Sequence, residues 1–142
     1  MPNYTTTNVT AAAPLVGQSL DASLTVADVP TSLAWYRDVL GFSIAREFER
    51  DGRLFAASLR AGTVRILLRQ DDGAKGLDRV KGEGFSLQIT TAQDIDALAS
   101  HAKRAGAVLD TEPTDAWGVR VFRLRDPDGF RLVFSSPHNE SA

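Results

Sequence analysis

Apolar and polar side chains alternate along this chain with two periods, one typical of half-buried strands and the other of amphipathic helices. In the first half these patterns predict a strand, a helix and three further strands, at residues 23–26, 28–41, 42–48, 53–60 and 63–69. Asp28 is a residue type favoured at a helix N-terminus, and Gly41 is the type that most often ends one. The first half therefore predicts one βαβββ module.

The second half repeats this order. Its predicted strand, helix and three strands lie at residues 86–90, 94–106, 107–113, 119–125 and 130–135. Residues 31–45 overlay on residues 96–110 without a gap at an offset of 65, which matches Gly41 with Gly106. Further on, RILL in the first half overlays on RLVF in the second at an offset of 66. Two unrelated βαβββ stretches would share the order of elements, but the matched glycines favour an internal duplication.

The patterns also divide the chain into five segments. We predict a flexible N-terminal arm at residues 1–20, a first module at 21–69, a linker at 70–84, a second module at 85–137 and a C-terminal tail at 138–142. The arm is rich in Thr, Asn, Ala and Pro and has no periodicity, which is typical of a disordered end. An edge segment packed on a partner is the alternative.

Composition narrows the classes of function. Hydrophobic residues make up 43% and charged residues 24%, and the net charge of −2 gives no reason to expect nucleic acid or a membrane surface as partner. There are no cysteines, which excludes disulfides and thiolate metal sites. The first residues lack the basic start of a signal peptide, and no apolar run reaches the roughly 18 residues of a membrane span. We therefore expect a cytoplasmic, soluble protein.

Two motifs resemble those of a known superfamily. The stretch SLAWYRDVLGF follows the first strand, and RDPDGF precedes the last one. With the duplication, they resemble the vicinal oxygen chelate superfamily, which includes glyoxalase I, extradiol dioxygenases, fosfomycin-resistance enzymes and bleomycin-binding proteins. The resemblance covers about residues 21–137. It implies an α+β fold in which two tandem βαβββ modules form a curved eight-stranded mixed sheet around a cleft, with the helices outside. It also implies a homodimer.

The metal-using members of that superfamily take their ligands from the first and last strand of each module. On this chain the matching positions are Asp21, Leu67, Gly84 and Val133, and only Asp21 can bind a metal. One carboxylate does not hold a catalytic divalent cation, which needs about three protein ligands. The two histidines lie elsewhere: His101 on the second helix, as a surface or helix-packing residue, and His138 in the tail. We therefore predict no metal and no cofactor, as in the bleomycin-resistance-like branch.

Strand parity predicts which side chains face the cleft. One face of the strands is consistently apolar and should meet the helices, whereas the opposite face is mixed. Its arginines suit carboxylates or phosphates, and a tryptophan at the rim suits a planar ligand. The predicted ligand-binding residues are Ser23, Thr25, Arg65, Leu67, Ser86, Gln88, Trp117, Arg123, Arg131 and Val133. The simpler alternative is that this face is the solvated side of an antiparallel sheet.

These observations favour a protein that binds or sequesters a small organic molecule and has no catalytic residue. The first alternative is an enzyme of lyase or dioxygenase type that works without a protein-bound metal, with Asp21 as general base or the arginines stabilising an oxyanion. A vestigial interaction module and a metal-dependent enzyme are the remaining alternatives.

Overall fold

The computed structural model describes residues 13–137, and residues 13–21 contain no helix or strand. The elements are β1 (Ala22–Val26), α1 (Val29–Leu40), β2 (Ser43–Arg50), β3 (Arg53–Ala61), β4 (Val64–Gln70), β5 (Ser86–Thr90), α2 (Ile95–Arg104), β6 (Leu109–Ala116), β7 (Val119–Arg125) and β8 (Arg131–Pro137). The order βαβββ therefore occurs twice, and the predicted α+β class and tandem modules are confirmed. Most of the predicted N-terminal arm and all of the tail, including His138, lie outside the described residues.

The eight strands are shared between two four-stranded mixed sheets. Their strand orders are β1-β4-β3-β2 and β5-β8-β7-β6, which are identical after the duplication is taken into account. In each sheet the first strand pairs in parallel with the last, and the other pairs are antiparallel. Within residues 13–137 the two sheets share no hydrogen-bonded strand pair, so they do not close into one barrel.

Capping residues determine where both helices begin. The carboxylate of Asp28 accepts a hydrogen bond from the N–H of Thr31, and that of Asp94 accepts one from Ala97. Gly41 ends α1 with φ of 82°, in the left-handed region that glycine adopts easily. Helix α1 therefore has the predicted limits, whereas α2 ends at Arg104, two residues before the glycine that was expected to end it.

The position of β6 differs from the prediction. The strand was expected at residues 107–113, but it runs over Leu109–Ala116 and continues to a two-residue turn. Trp117 and Gly118 form this turn with φ of 54° and 78°, as Asp51 and Gly52 do in the first module with 54° and 74°. Positive φ at both positions is the geometry that joins two antiparallel strands tightly. The hairpin therefore determines the end of β6, although Pro113 lies within it.

The helices cover the apolar faces of both sheets, and one continuous core extends through the two modules. Most of the strand residues that parity assigned to the helix side are buried, including Leu24, Ile66, Leu124 and Leu132, and the others are half-buried. Ala56 and Val121 are partial exceptions, because they lie on the opposite face and are nevertheless only 6% and 3% exposed. We call the faces turned away from the helices the open faces of the sheets.

Where the modules meet, the β7–β8 turn of the second docks onto the β1–α1 junction of the first. Tyr36 Oη, on α1, donates a 2.7 Å hydrogen bond to Asp126 Oδ2, and both residues are buried. The N–H groups of Asp128 and Phe130 donate to the other oxygen of Asp126 at 2.9 Å. The Ala27 N–H donates to Asp128 Oδ1 at 2.8 Å. Burial raises the pKa of Asp126, and the hydrogen bond from Tyr36 opposes that rise.

A buried lysine extends this contact into the segment between the modules. The side chain of Lys81 is only 4% exposed, and its Nζ lies 2.8 Å from Asp71 Oδ2 and 3.4 Å from Asp128 Oδ1. Nζ also donates to the carbonyl oxygen of Thr25 at 2.9 Å. At Gly82, an added Cβ would come within 2.9 Å of the Phe130 ring, so the backbone can pass here only without a side chain. The segment around Lys81 and Gly82 therefore packs closely against the contact between the two modules.

The Lys81 contact makes stability depend on pH through Asp71. The hydrogen bond from Lys81, and then that from the Gly73 N–H, lower the pKa of Asp71 to about 2. Its unfolded value is about 3.9, so the ionised form favours folding; this stabilisation is complete above about pH 5 and is lost as the pH falls towards 2. We therefore expect Asp71→Asn to lower the melting temperature at pH 5 and to have progressively less effect towards pH 2.5. Calorimetry across this range measures the difference.

The matched control is Asp72→Asn, which removes the neighbouring exposed carboxylate. A difference between wild type and Asp71→Asn that stays constant from pH 5 to pH 2.5 would contradict the assignment.

Candidate functional site

On the first sheet, the predicted ligand residues share the open face. Ser23 on β1 lies beside Leu67 on β4, and Thr25 lies beside Arg69. The two hydroxyl residues are exposed and Leu67 is half-buried. Arg65 is exposed on the same face, two residues before Leu67. Parity therefore places these side chains together on one solvent-accessible surface, as expected.

On the second sheet the predicted residues are grouped more closely. Ser86 on β5 lies beside Arg131 on β8, and Gln88 lies beside Val133. Arg123 on β7 flanks Val133 from the other side. Because β8 runs between β5 and β7, these five side chains form one contiguous patch.

A cavity of about 530 Å³ lies over this patch. It is lined by Ser86, Arg123, Arg131 and Val133, together with Gly84, Phe85, Asp110, Leu124, Arg125 and Leu132. All of these residues belong to the second half of the chain. The candidate residues on the first sheet do not line this cavity, so one chain does not bring both sets into a single pocket there.

Trp117 is separated from this cavity. It lies at the tip of the β6–β7 hairpin, its side chain is 98% exposed, and it does not line the cavity. The expected stacking role at a cleft rim stays a prediction.

Several open-face residues were missed by the sequence analysis, which assigned no cleft residue to β2 or β6. Phe48 on β2 lies opposite Ala56, and the guanidinium of Arg46 lies 4.8 Å from the centre of its ring. On the second sheet, Phe85 and Asp110 line the cavity. Strand parity carried through the hairpins would have identified Phe48. The contribution of Asp110 depends on the irregular β6–β7 register, which parity does not predict.

The charge of the open faces is dominated by arginine. Arg131 has one distant carboxylate, Glu83 at 3.9 Å, and Arg125 pairs with Asp110 at 3.1 Å. Within residues 13–137, the side chains of Arg65, Arg69 and Arg123 have no hydrogen-bond or ion-pair partner. Of these three, only Arg123 lines the cavity, where its unpaired guanidinium group is available to an anionic ligand.

The donor set at the four superfamily metal positions does not fit a resident divalent cation. Asp21 precedes β1, Gly84 precedes β5, and Leu67 and Val133 lie on the last strands. Across residues 13–137, no group of three His, Cys, Asp or Glu side chains could hold a metal ion. His101 is exposed on α2, and its Nε2 lies 2.9 Å from the carbonyl oxygen of Asp38. It therefore joins the two helices, in line with its predicted helix-packing role.

Neither helix within residues 13–137 is long and apolar enough to cross a membrane.

Several solved structures share this architecture. The glyoxylase/bleomycin resistance protein/dioxygenase domain from Frankia sp. EAN1pec is 26% identical with a TM-score of 0.70, and the match covers 88% of this chain and 100% of that one. TioX from Micromonospora sp. ML1 is 22% identical with a TM-score of 0.68, covering 85% and 99%. TnmS3, an antibiotic binding protein from Streptomyces sp. CB03234, is 16% identical with a TM-score of 0.68, covering 88% and 99%.

A search of curated proteins gave no match. The family profile described as Glyoxalase/Bleomycin resistance protein/Dioxygenase superfamily matches residues 18–134. This range includes both helices, strands β1 to β7 and the beginning of β8. Together with the duplicated βαβββ topology, this match shows that the chain belongs to the Glyoxalase/Bleomycin resistance protein/Dioxygenase superfamily.

Proposed function

We propose that this protein binds a small organic anion at the open face of its second sheet and uses no protein-bound metal. The observation that carries the proposal is the cavity of about 530 Å³ with Arg123 and Arg131 in its wall. Its volume lies in the range of small-molecule sites, roughly 300–1,000 Å³. A vestigial module would be expected to fill this face with its own side chains.

The side chains around the cavity suit a ligand with an anionic group on a flat apolar body. Arg123 has no partner of its own within residues 13–137, so its guanidinium can bind a carboxylate in the two-pronged geometry that this group favours. Ser86 adds a hydroxyl, while Val133 and Phe85 supply apolar surface. Phe85 is 49% exposed, which leaves its ring accessible to a planar ligand.

The open face of the first sheet would contribute through a second copy of the chain. Its residues Ser23, Thr25 and Arg65 are exposed and line no part of the cavity. In a homodimer, the first sheet of one copy could cover the second sheet of the other, which would enclose the ligand. Light scattering that gives the mass of a single chain at micromolar concentration would contradict the dimer.

The similarity to TnmS3 supports a binding role, because that protein is an antibiotic binding protein with the same fold. The lack of a fitting donor set supports a site without a metal. Stoichiometric metal in protein purified without chelator would overturn that part of the proposal.

We expect 2-naphthoate to bind more tightly than its neutral counterpart 2-naphthamide. Arg123→Gln should weaken binding of the acid about tenfold, because one charge-assisted contact is lost, and should leave binding of the amide unchanged. Isothermal titration calorimetry measures both affinities.

The control is Arg104→Gln, which removes an exposed arginine on α2 that does not line the cavity. Equal affinities of wild type and Arg123→Gln for the acid, or no binding of either compound at millimolar concentration, would contradict the proposed site.

A further inference from the structure

Two arginines lie directly opposite each other on the open face of the first sheet. Arg60 on β3 pairs in register with Arg65 on β4, next to the pair Leu59 and Ile66. Because Leu59 and Ile66 are buried under the helices, alternation turns the two arginines to the open face. Side chains opposite each other in such a pair start about 5 Å apart, so the two charges repel each other. Both side chains are exposed, and within residues 13–137 neither has a hydrogen-bond or ion-pair partner.

The duplicated pair in the second module is compensated by carboxylates. Arg125 and Arg131 lie opposite each other on β7 and β8, and they correspond to the first pair at offsets of 65 and 66. Arg125 Nε lies 3.1 Å from Asp110 Oδ2, and Arg131 Nη2 lies 3.9 Å from Glu83 Oε2. The same arrangement of arginines therefore has carboxylate partners in the second module only.

The first module differs from the second at the position of the main carboxylate partner. The offset of 65 places Ala45 at the position of Asp110, so this carboxylate is missing from β2. The next residue is a third arginine, Arg46, which lies opposite Ser58 and therefore diagonal to Arg60, roughly 7–8 Å away between Cα atoms. Arg46 is exposed and has no carboxylate partner within residues 13–137. Three uncompensated guanidinium groups therefore lie at one end of this face.

Asp21 is the acidic residue nearest to the pair in register. It precedes Ala22, which lies beside Ile66, so it is the next residue in line with Arg65. Within residues 13–137, Asp21 nevertheless forms no hydrogen bond or ion pair. The three arginines leave a surplus of two positive charges even when Asp21 is counted against them. That surplus matches the charge of a phosphate monoester, which is about −1.5 to −2 at neutral pH.

We propose that Arg60 and Arg65 bind a phosphoryl group on the open face of the first sheet, with Arg46 supplying the third positive charge. A guanidinium presents paired N–H donors that fit phosphate oxygens in a two-pronged geometry. Ser58, two residues before Arg60 on the same face, adds a hydroxyl, and Leu67 beside it offers apolar surface to an organic ester. This site is independent of the proposed organic-anion site on the second sheet and needs no second copy of the chain.

The experiment titrates the full chain with inorganic phosphate and with phenyl phosphate. We expect both to shift the amide resonances of Ser58 and Leu67 in heteronuclear NMR spectra. Arg60→Gln and Arg65→Gln should each weaken binding about tenfold, because one charge-assisted contact is lost. Phenyl sulfate, which has the same shape and one charge fewer, should bind wild type about tenfold more weakly than phenyl phosphate. Tighter binding of phenyl phosphate than of phosphate would identify an organic phosphate as the ligand, and equal affinities would identify the free ion.

Asp21→Asn provides a test with the opposite sign. This substitution removes the carboxylate that competes with the ligand for Arg65, so it should tighten binding of phenyl phosphate about threefold. The controls are Arg104→Gln, on the exposed side of α2, and Arg123→Gln, on the second sheet. Both should leave the resonance shifts of Ser58 and Leu67 like those of wild type.

Unchanged affinity in both Arg60→Gln and Arg65→Gln would overturn the proposal, as would resonance shifts confined to Ser86 and Val133 on the second sheet. An equal loss in Arg104→Gln would also overturn it, because the effect would then follow net charge rather than the site. Affinity that is unchanged or lower in Asp21→Asn would contradict binding beside Arg65, and equally tight binding of phenyl sulfate would contradict a phosphoryl ligand. Failure of the second sheet to bind 2-naphthoate leaves these outcomes unaffected, since none of the three arginines lines its cavity.

Discussion

Replacing Lys81 with methionine should lower the melting temperature by roughly 10 °C, because removing one partner of a buried ion pair leaves the other charge buried without compensation. The substitution removes the ammonium group that lies between Asp71 and Asp128, whose side chains are 3% and 5% exposed. It also leaves the carbonyl oxygen of Thr25 without its 2.9 Å donor. Methionine keeps the length and apolar stem of lysine, so the loss reports the charge rather than a cavity.

The measurement is thermal unfolding by circular dichroism at pH 7. The control is Lys75→Met, at an exposed position in the same segment, which should not change the melting temperature. A fall of similar size in both variants, or no fall in Lys81→Met, would show that Lys81 does not hold the modules together.

Removing the carboxylate of Asp126 should have a comparably large effect. Asp126→Ala leaves the buried hydroxyl of Tyr36 and the N–H groups of Asp128 and Phe130 without their acceptor. Unsatisfied buried donors each destabilise by about 1–3 kcal/mol, and we expect a loss of about 3 kcal/mol in the free energy of unfolding. Tyr36→Phe alone should cost about 1.5 kcal/mol, because the two backbone donors to Asp126 remain.

A double-mutant cycle separates the contribution of the Tyr36–Asp126 hydrogen bond to stability from the other effects of the two substitutions. If Tyr36 and Asp126 act through their shared hydrogen bond, the double variant should be less destabilised than the sum of the single ones, with a coupling of about 1–2 kcal/mol. Urea denaturation provides the free energies, and Asp110→Ala, at an exposed carboxylate on β6, serves as the control. Additive effects of the two substitutions would contradict the contact.

Both experiments examine one feature, the docking of the RDPDGF turn onto the first module. The sequence predicted this turn from Pro127 and Gly129, whose conformational preferences are local. It did not predict that the two aspartates of the turn would be satisfied by groups about 90 to 100 positions earlier in the chain. Those partners depend on how the modules meet, which no local preference specifies.

Lys81 is a stronger example of a residue whose environment the sequence did not predict. It lies in a stretch rich in glycine and charge that was predicted to be a linker, and solvent exposure is the ordinary expectation for a lysine there. Its burial follows from three acceptors contributed by separate parts of the chain, Thr25, Asp71 and Asp128. The composition of this segment does not indicate that acceptors from separate parts of the chain will surround the side chain of one lysine.

For the candidate site, strand parity placed nine of the ten predicted ligand residues on strand faces turned away from the helices, because alternation along a strand is a property of the backbone. The tenth, Trp117, lies on a hairpin tip, where parity does not apply. Parity could not predict which of the nine would line a cavity, and only Ser86, Arg123, Arg131 and Val133 do. Which residues line a cavity depends on where the strands and the neighbouring loops pack to form a depression in the surface, and alternation along a strand does not specify this.

The sequence by itself determined the duplicated βαβββ order, the start of each helix and the mismatch of the superfamily's metal positions, since periodicity, capping and ligand chemistry are local to each residue. Only the tertiary structure decided how the strands divide into two sheets and how the modules join. It closes one junction between the modules with Tyr36 and Asp126, whereas His101 and Ala61 stand at the equivalent positions of the other junction and line a cavity there. The physical reason is that these outcomes depend on charges and packing surfaces from distant parts of the chain, which take effect only once the two modules are in contact.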